Sequence, residues 1–401
     1  MGVFGLLGTS VHAADWPQYR GPDRNGIAPG GKLLEWPELG PERLWTANVG
    51  IGVSAFVAAE GMAYTVGNKD GEDVVTAFKA DTGDVVWTHK YPIELDARMF
   101  EGGPASTPAY ADGILYTLSH QGHLKALNAK TGELGWEKHL LNDLDGRRPR
   151  WGFSSAPLVV DGMVVVEPGG RNASIVALDA KTGAVKWKAG SSEAGYSSPI
   201  AYTHRGQDTL LVFNAYGIIA HALSSGKELW KKRWDTSYDV NAAVPLAADE
   251  KVFISSGYGK GSALLDVGGS SPKTVWEHDK FQNQLTSSVL YEGHLYGFNV
   301  HHIGRKRGQS LMCVELDSGE IKWTDDSLGS GQLILVDNKL VIFTTDGELA
   351  IATPSPSRYQ EEARMQALPR QSWVEPAYAD GIVFLRNNDG RAAAFRIGEA
   401  N

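Results

Sequence analysis

One cysteine, Cys313, stands in 401 residues. That excludes an intramolecular disulfide and any cysteine-based zinc or haem site. No segment reaches about 18 consecutive apolar residues, so no membrane-spanning helix is predicted. Basic residues are the minority: 38 Lys and Arg against 47 Asp and Glu leave a net charge of −9. A general nucleic-acid binder needs a basic face, so that class is excluded. Helical periodicity is missing over any useful length. A Gly-x-Ser-x-Gly nucleophile elbow and a phosphate loop are missing too. The lack of disulfides leaves the compartment open, because a chain this long can bury a large core without staples.

What the chain does contain is one short pattern, written repeatedly. VTAFKADTGDVVW (75–87), LKALNAKTGELGW (124–136), VALDAKTGAVKW (176–187), IAHALSSGKELW (219–230) and MCVELDSGEIKW (312–323) all end in tryptophan, with glycine four residues earlier. Trp276 ends a sixth copy with a longer turn, and Trp45 ends a partial one. Successive tryptophans lie 42, 49, 51, 43, 46 and 47 residues apart. Each unit holds short Val/Ile/Leu/Tyr-rich runs broken by Asp-Gly or Thr-Gly, the signature of antiparallel hairpins. Residues 154–188 divide into four such strands. A four-stranded sheet repeated every 40–50 residues or so is a propeller blade.

The repeat assigns roles. Trp45, Trp87, Trp136, Trp187, Trp230, Trp276 and Trp323 are expected to fill the wedges between blades, each indole N–H taking a partner. Ten residues before five of them stands a small residue: Ala77, Ala126, Ala177, Ala220 and Cys313. Cys313 is therefore read as a buried alanine substitute, not a nucleophile. Simple alternation puts Val185 and Trp187 on one face of the fourth strand.

The pattern Ala-x-Asp/Asn-x-x-Thr-Gly-x-x-x-Trp resembles the repeat of the pyrroloquinoline quinone (PQQ)-type eight-bladed propellers. The resemblance covers about 43–397. That family includes quinoprotein alcohol dehydrogenases, outer-membrane-assembly propeller lipoproteins and exported bacterial propellers. The opening ADWPQYRGPDRNG, with Trp16, Arg20, Gly21, Pro22 and Gly26, resembles the N-terminal arm of the exported group. The expected fold is all-β, an eight-bladed propeller of four-stranded antiparallel blades at about 54–90, 104–139, 151–189, 195–233, 241–278, 285–324 and 331–368. A last unit, 372–397, has three strands and takes its fourth from Arg43-Leu44-Trp45, closing the ring. Blade seven has no Gly/Trp pair, and Tyr359 is taken as the substitute. The expected domains are a truncated signal peptide (1–13), an arm (14–41), the propeller (42–397) and a tail (398–401). The small-x-small pattern ending at Ala13 points to export, periplasmic or secreted. Ala14 is not cysteine, so a lipid anchor is not expected.

Strand order places the loops between second and third strands, and those between blades, on one face, the top. These loops vary: 99–102, 145–151, 238–241, 257–260 and 299–309. Residues just before each innermost strand should converge on the axis. Glu101, Arg150, Trp151, Tyr196, Asn241 and Gln284 are the candidate ligand ring there. No catalytic residue or metal site is assigned. For the dehydrogenase-like members, the resemblance implies a calcium or lanthanide ion held by Glu, Asn and Asp. Glu101, Asn241 and Asp239 are such types, but the vicinal Cys-Cys pair of those enzymes is missing. His301-His302 lacks a third ligand at suitable spacing. Arg305-Lys306-Arg307 is a basic tip, and Asn172-Ala-Ser174 is a sequon of low specificity. The expected function is a non-enzymatic, monomeric, exported binding or scaffold propeller without a cofactor. Its partner would be a protein, peptide or glycan at the top of the channel. The alternatives are a dehydrogenase using PQQ and calcium, and an outer-membrane assembly scaffold.

Overall fold

The structure is a computed structural model that describes residues 15–96, 98, 101–302 and 308–400. The expected signal segment, Met99-Phe100 and the Arg305–Arg307 tip lie outside the described residues. Among the described residues, thirty-two strands form eight four-stranded sheets. Blade one runs outward from the axis as Val57–Ala59, Met62–Lys69, Glu72–Lys79 and Val85–Pro92. The other blades repeat this order, and short inner strands of neighbouring blades touch one another. Blade eight is Ala377–Ala379, Ile382–Arg386 and Arg391–Arg396, completed by Glu42–Asn48 from the other end of the chain.

The inner hairpins turn at Asp112-Gly113, Asp161-Gly162 and Asp380-Gly381, with positive φ at both residues of each pair. This mirror-image two-residue turn matches the twist of the strands it joins, which explains the recurring Asp-Gly. Each repeat glycine has a second duty. A Cβ on Gly132 would lie 2.5 Å from the Trp87 ring, and one on Gly83 2.5 Å from Trp45. The turn of one blade thus rests directly on the indole of the blade before it. The indole N–H then reaches a carbonyl beside that turn: Trp45 to Ala80 at 2.9 Å, Trp87 to Ala129 at 2.9 Å, Trp136 to Ala180 at 3.0 Å. Trp187, Trp276 and Trp323 donate likewise to Leu223, Leu316 and Ser355. Trp230 is buried in the core that joins blades four and five. Directly across the strand pair from Trp87, Trp136, Trp187 and Trp230 stand Ala77, Ala126, Ala177 and Ala220, with Cys313 opposite Trp323. Cys313 is fully buried, and burial pushes its thiol up to about 11.

Two local expectations need correction. The register slips by one residue between Leu178↔Val185 and Ala177↔Trp187, and again at the same place in other blades. This bulge adds a residue to the outer strand and breaks the alternation. Val185 therefore faces away from Trp187 and is 45% exposed. In blade seven, the residue across from Ile351 at the bulge is Ala363. Tyr359 instead precedes the outer strand Glu361–Gln366 and packs on Trp323 of blade six, ring centroids 6.2 Å apart. It covers the preceding blade's indole and does not replace the missing one.

Ring closure has its own fastening. The buried Arg386 of blade eight donates to Ser54 O, Thr65 Oγ1, Val66 O, Gly50 O and Gly52 O in and before blade one. All five acceptors are neutral.

Candidate functional site: a blind well on the axis

The N-terminal arm crosses the inside of the ring and closes one end of it. Trp16 pairs with Ala58 of blade one, and Pro17 O accepts from Tyr110 N of blade two. Gln18 Oε1 accepts from Val159 N of blade three. Arg24, fully buried, donates to Gln18 Oε1 and to the carbonyls of Ala156, Pro157 and Pro199. Arg20, also buried, bonds Ser288 O of blade six at 2.7 Å and the Glu375 carboxylate of blade eight at 2.6 Å. Ala28 N then reaches Leu335 O of blade seven. Glycines make the path possible. A Cβ on Gly26 would meet the Arg20 guanidinium at 2.5 Å, and one on Gly21 the Trp16 ring at 2.9 Å. The residues that carried the arm resemblance are those that plug the channel.

Around the axis, Ser and Thr at the starts of inner strands stitch the blades together. Ala55 N donates to Thr107 Oγ1, Ala156 N to Ser198 Oγ, and Val244 N to Ser287 Oγ. Above the plug these small residues leave a cavity of about 620 Å³. Its deep part is walled by Ala55, Thr107, Ala156, Ser198 and Ala242 and floored by Tyr19 and Glu375. Burial pushes the Glu375 carboxyl up to about 7, against the lowering pull of Arg20 and a hydrogen bond from Tyr19. Burial and the neighbouring carboxylate raise the Tyr19 hydroxyl far above its ordinary value. Glu375 Oε2 has no hydrogen bond of good geometry.

Glu101, Arg150, Trp151, Tyr196 and Gln284 all line this well. Asn241 does not. Its Nδ2 donates to Asn214 O at 2.8 Å and Trp234 O at 3.3 Å, and its Oδ1 accepts from Ser256 Oγ at 2.7 Å. The side chain is wholly buried, turned outward into the joint between blades four and five, while its neighbours Val240 and Ala242 face the well. Residues beyond the expected ring also line it: Tyr19, Tyr238, Tyr258, His302, Trp373 and Glu375. Tyr238 and Tyr258 stand in loops singled out for their variability. Trp373 and Glu375 precede an innermost strand, as Glu101 does, so the same positional rule reaches them.

The mouth is aromatic on one side. Ring centroids run Tyr196 to Trp151 at 5.8 Å, Trp151 to Tyr238 at 5.9 Å, Tyr238 to Tyr258 at 5.7 Å and Tyr258 to His302 at 5.2 Å. The Arg150 guanidinium lies over Trp151 at 5.1 Å and Tyr238 at 5.4 Å. Tyr238 holds φ 63, a left-handed conformation unusual for an aromatic residue. Glu101 accepts from Asn388 Nδ2 at 3.4 Å. The well combines an aromatic wall of rings set edge to face, a few fixed polar groups and a floor of buried acid, cation and phenol, the general make-up of a small-ligand pocket.

Fold and repeat together define a PQQ-like propeller. Residues 71–325, more than half the chain, match the family model described as outer membrane protein assembly factor BamB, and the chain belongs to that family. No curated protein is significantly similar in sequence. Among solved structures, BamB from Moraxella catarrhalis is similar at 16% identity and TM-score 0.63, covering 89% of this chain and 97% of that one. The quinohemoprotein alcohol dehydrogenase from Comamonas testosteroni is similar at 14% identity and TM-score 0.69, covering 97% of this chain and 81% of that one. Sqt1 from Saccharomyces cerevisiae is similar at 11% identity and TM-score 0.59, covering 93% and 100%. At such identities the likeness is one of fold.

Proposed function

We propose that this chain is an exported, non-enzymatic propeller that binds a ligand or partner group in the blind well at the top of its channel, without PQQ. The observation that carries this reading is the arm. A propeller channel open at both ends is a hole; sealed by Arg20 and Arg24, it becomes a pocket with a floor. The dehydrogenase alternative is disfavoured by the same geometry. Asn241 would have to surrender three buried hydrogen bonds to ligate a metal. A quinone bearing several carboxylates would meet Glu101 beside Arg98 and Arg150 in the well, so charge alone does not favour it there. The buried bonding of Asn241 does not fit that cofactor. An absorbance titration of the full chain with PQQ and calcium tests this. No quinone shift and no alcohol-dependent dye reduction are expected. Micromolar binding lost in Glu101→Ala would instead establish the dehydrogenase reading.

A further inference from the structure

The well's chemistry is selective enough to name a ligand class. Glu375 is 4% exposed, and its Oε1 is paired with Arg20 at 2.6 Å. Glu375 lines the floor of the well, and its Oε2 accepts no hydrogen bond of good geometry. A buried acceptor left unpaired costs about 1–3 kcal/mol, so a donor on the ligand is favoured there. Arg20 already balances the carboxylate, so a neutral hydroxyl suits the position better than a second cation.

The mouth sets charges of both signs side by side, so a net charge on the ligand gains little there. Glu101 at the rim opposes an anion, while Arg98 and Arg150, which line the same mouth, oppose a cation. Arg150 already supplies the cation that the Trp151 and Tyr238 π faces would attract. What remains attractive is the aromatic arc itself, four rings from Trp151 to His302 in one continuous series. Such a surface rewards a ligand with an apolar face and a polar edge. A pyranose ring has that shape: axial C–H groups on one face and hydroxyls around the edge. Glu101, Arg150 and Gln284 stand at the same mouth as hydroxyl partners. The small side chains beneath, Ala55, Ala156 and Ala242, leave room for one sugar unit to descend.

We infer that the well takes the end of a neutral oligosaccharide, packed against the edge-to-face rings of Trp151, Tyr238 and Tyr258 and donating a hydroxyl to the Glu375 carboxylate. The inference rests on the well being the binding site. The test is calorimetric titration of the full chain with neutral cello-, xylo- and chito-oligosaccharides, an oligogalacturonate and a degenerate nonapeptide mixture. At least one neutral oligosaccharide should bind with a Kd below about 1 mM. Trp151→Ala and Tyr238→Ala should each weaken it about tenfold. Tyr238 is 58% exposed, so its truncation tests the wall without threatening the fold. Glu375→Gln, which sets an amide donor where the free acceptor stood, should weaken it comparably. If no neutral oligosaccharide binds, the inference is overturned. If the peptides or the oligogalacturonate bind and Trp151→Ala abolishes that binding, the ligand class is wrong and the well reading stands. If a saccharide binds with unchanged affinity in both aromatic variants, the well reading itself is wrong.

Discussion

Replacing Arg386 by methionine should loosen the ring at its seam. The guanidinium links blade eight to blade one through Val66 O at 2.6 Å, Gly50 O at 2.8 Å, Gly52 O at 2.9 Å, Thr65 Oγ1 at 3.1 Å and Ser54 O at 3.2 Å. Charge-assisted bonds contribute about 1.5–3 kcal/mol each, so five represent roughly 8–15 kcal/mol gross. Burial without a carboxylate takes part of that back. It pulls Arg386 from 12.5 down to about 9, equivalent to roughly 5 kcal/mol. Methionine keeps the stem but leaves four carbonyls and a hydroxyl facing it, which local rearrangement and water entry relieve only in part. A net loss of about 3–5 kcal/mol is expected. Lysine should recover less than half, because one ammonium cannot replace a two-pronged fork. Urea denaturation measures the loss, and amide hydrogen exchange locates it. Protection should fall first in Glu42–Asn48 and Arg391–Arg396, the strands that close the ring. A loss under about 1 kcal/mol, or protection that falls equally in all blades, would refute the fastening role.

Gly132→Ala and Gly113→Ala separate the two duties of turn glycines. Both positions have positive φ, but a Cβ at Gly132 strikes Trp87 while one at Gly113 meets nothing within 4 Å. Chemical denaturation should show about 1 kcal/mol lost at Gly113 and at least about 2 at Gly132; equal losses would mean the indole contact is soft. Burial pushes Glu167 from 4.5 up to about 8. A carboxyl raised on folding contributes stability that is full below about pH 4.5 and lost as pH rises through about 8. The stability of the wild type relative to Glu167→Gln should therefore fall between those limits, and a difference flat with pH would contradict the shift. Export is checked by fractionation and N-terminal sequencing, with Ala14 or a neighbour expected as the first residue; cytoplasmic protein keeping Val3–Leu7 would count against it.

The fold was legible because its instructions are local and repeated. Asp-Gly sets a turn, Thr-Gly sets another, and tryptophan with a small residue ten positions earlier sets a cross-strand pair. Each fact lies within a dozen residues, and repetition turns weak signals into one strong one. The bulge beside each tryptophan was hidden for the opposite reason. It changes register without changing spacing, so counting residues put Val185 on the wrong face. Position before an inner strand identified Glu101, Arg150, Trp151, Tyr196 and Gln284 as well-lining, but position alone does not set side-chain direction. At Asn241 the carbonyls of Asn214 and Trp234 and the Ser256 hydroxyl outcompete the well for the amide. The floor was least legible. Tyr19 reaches it only because Arg24 finds carbonyls more than 130 residues away, and Arg20 finds Glu375 across 355 residues. Contacts of that separation leave no periodic trace in a single sequence. The repeat builds the ring, and two buried arginines outside the repeat turn its channel into a blind well.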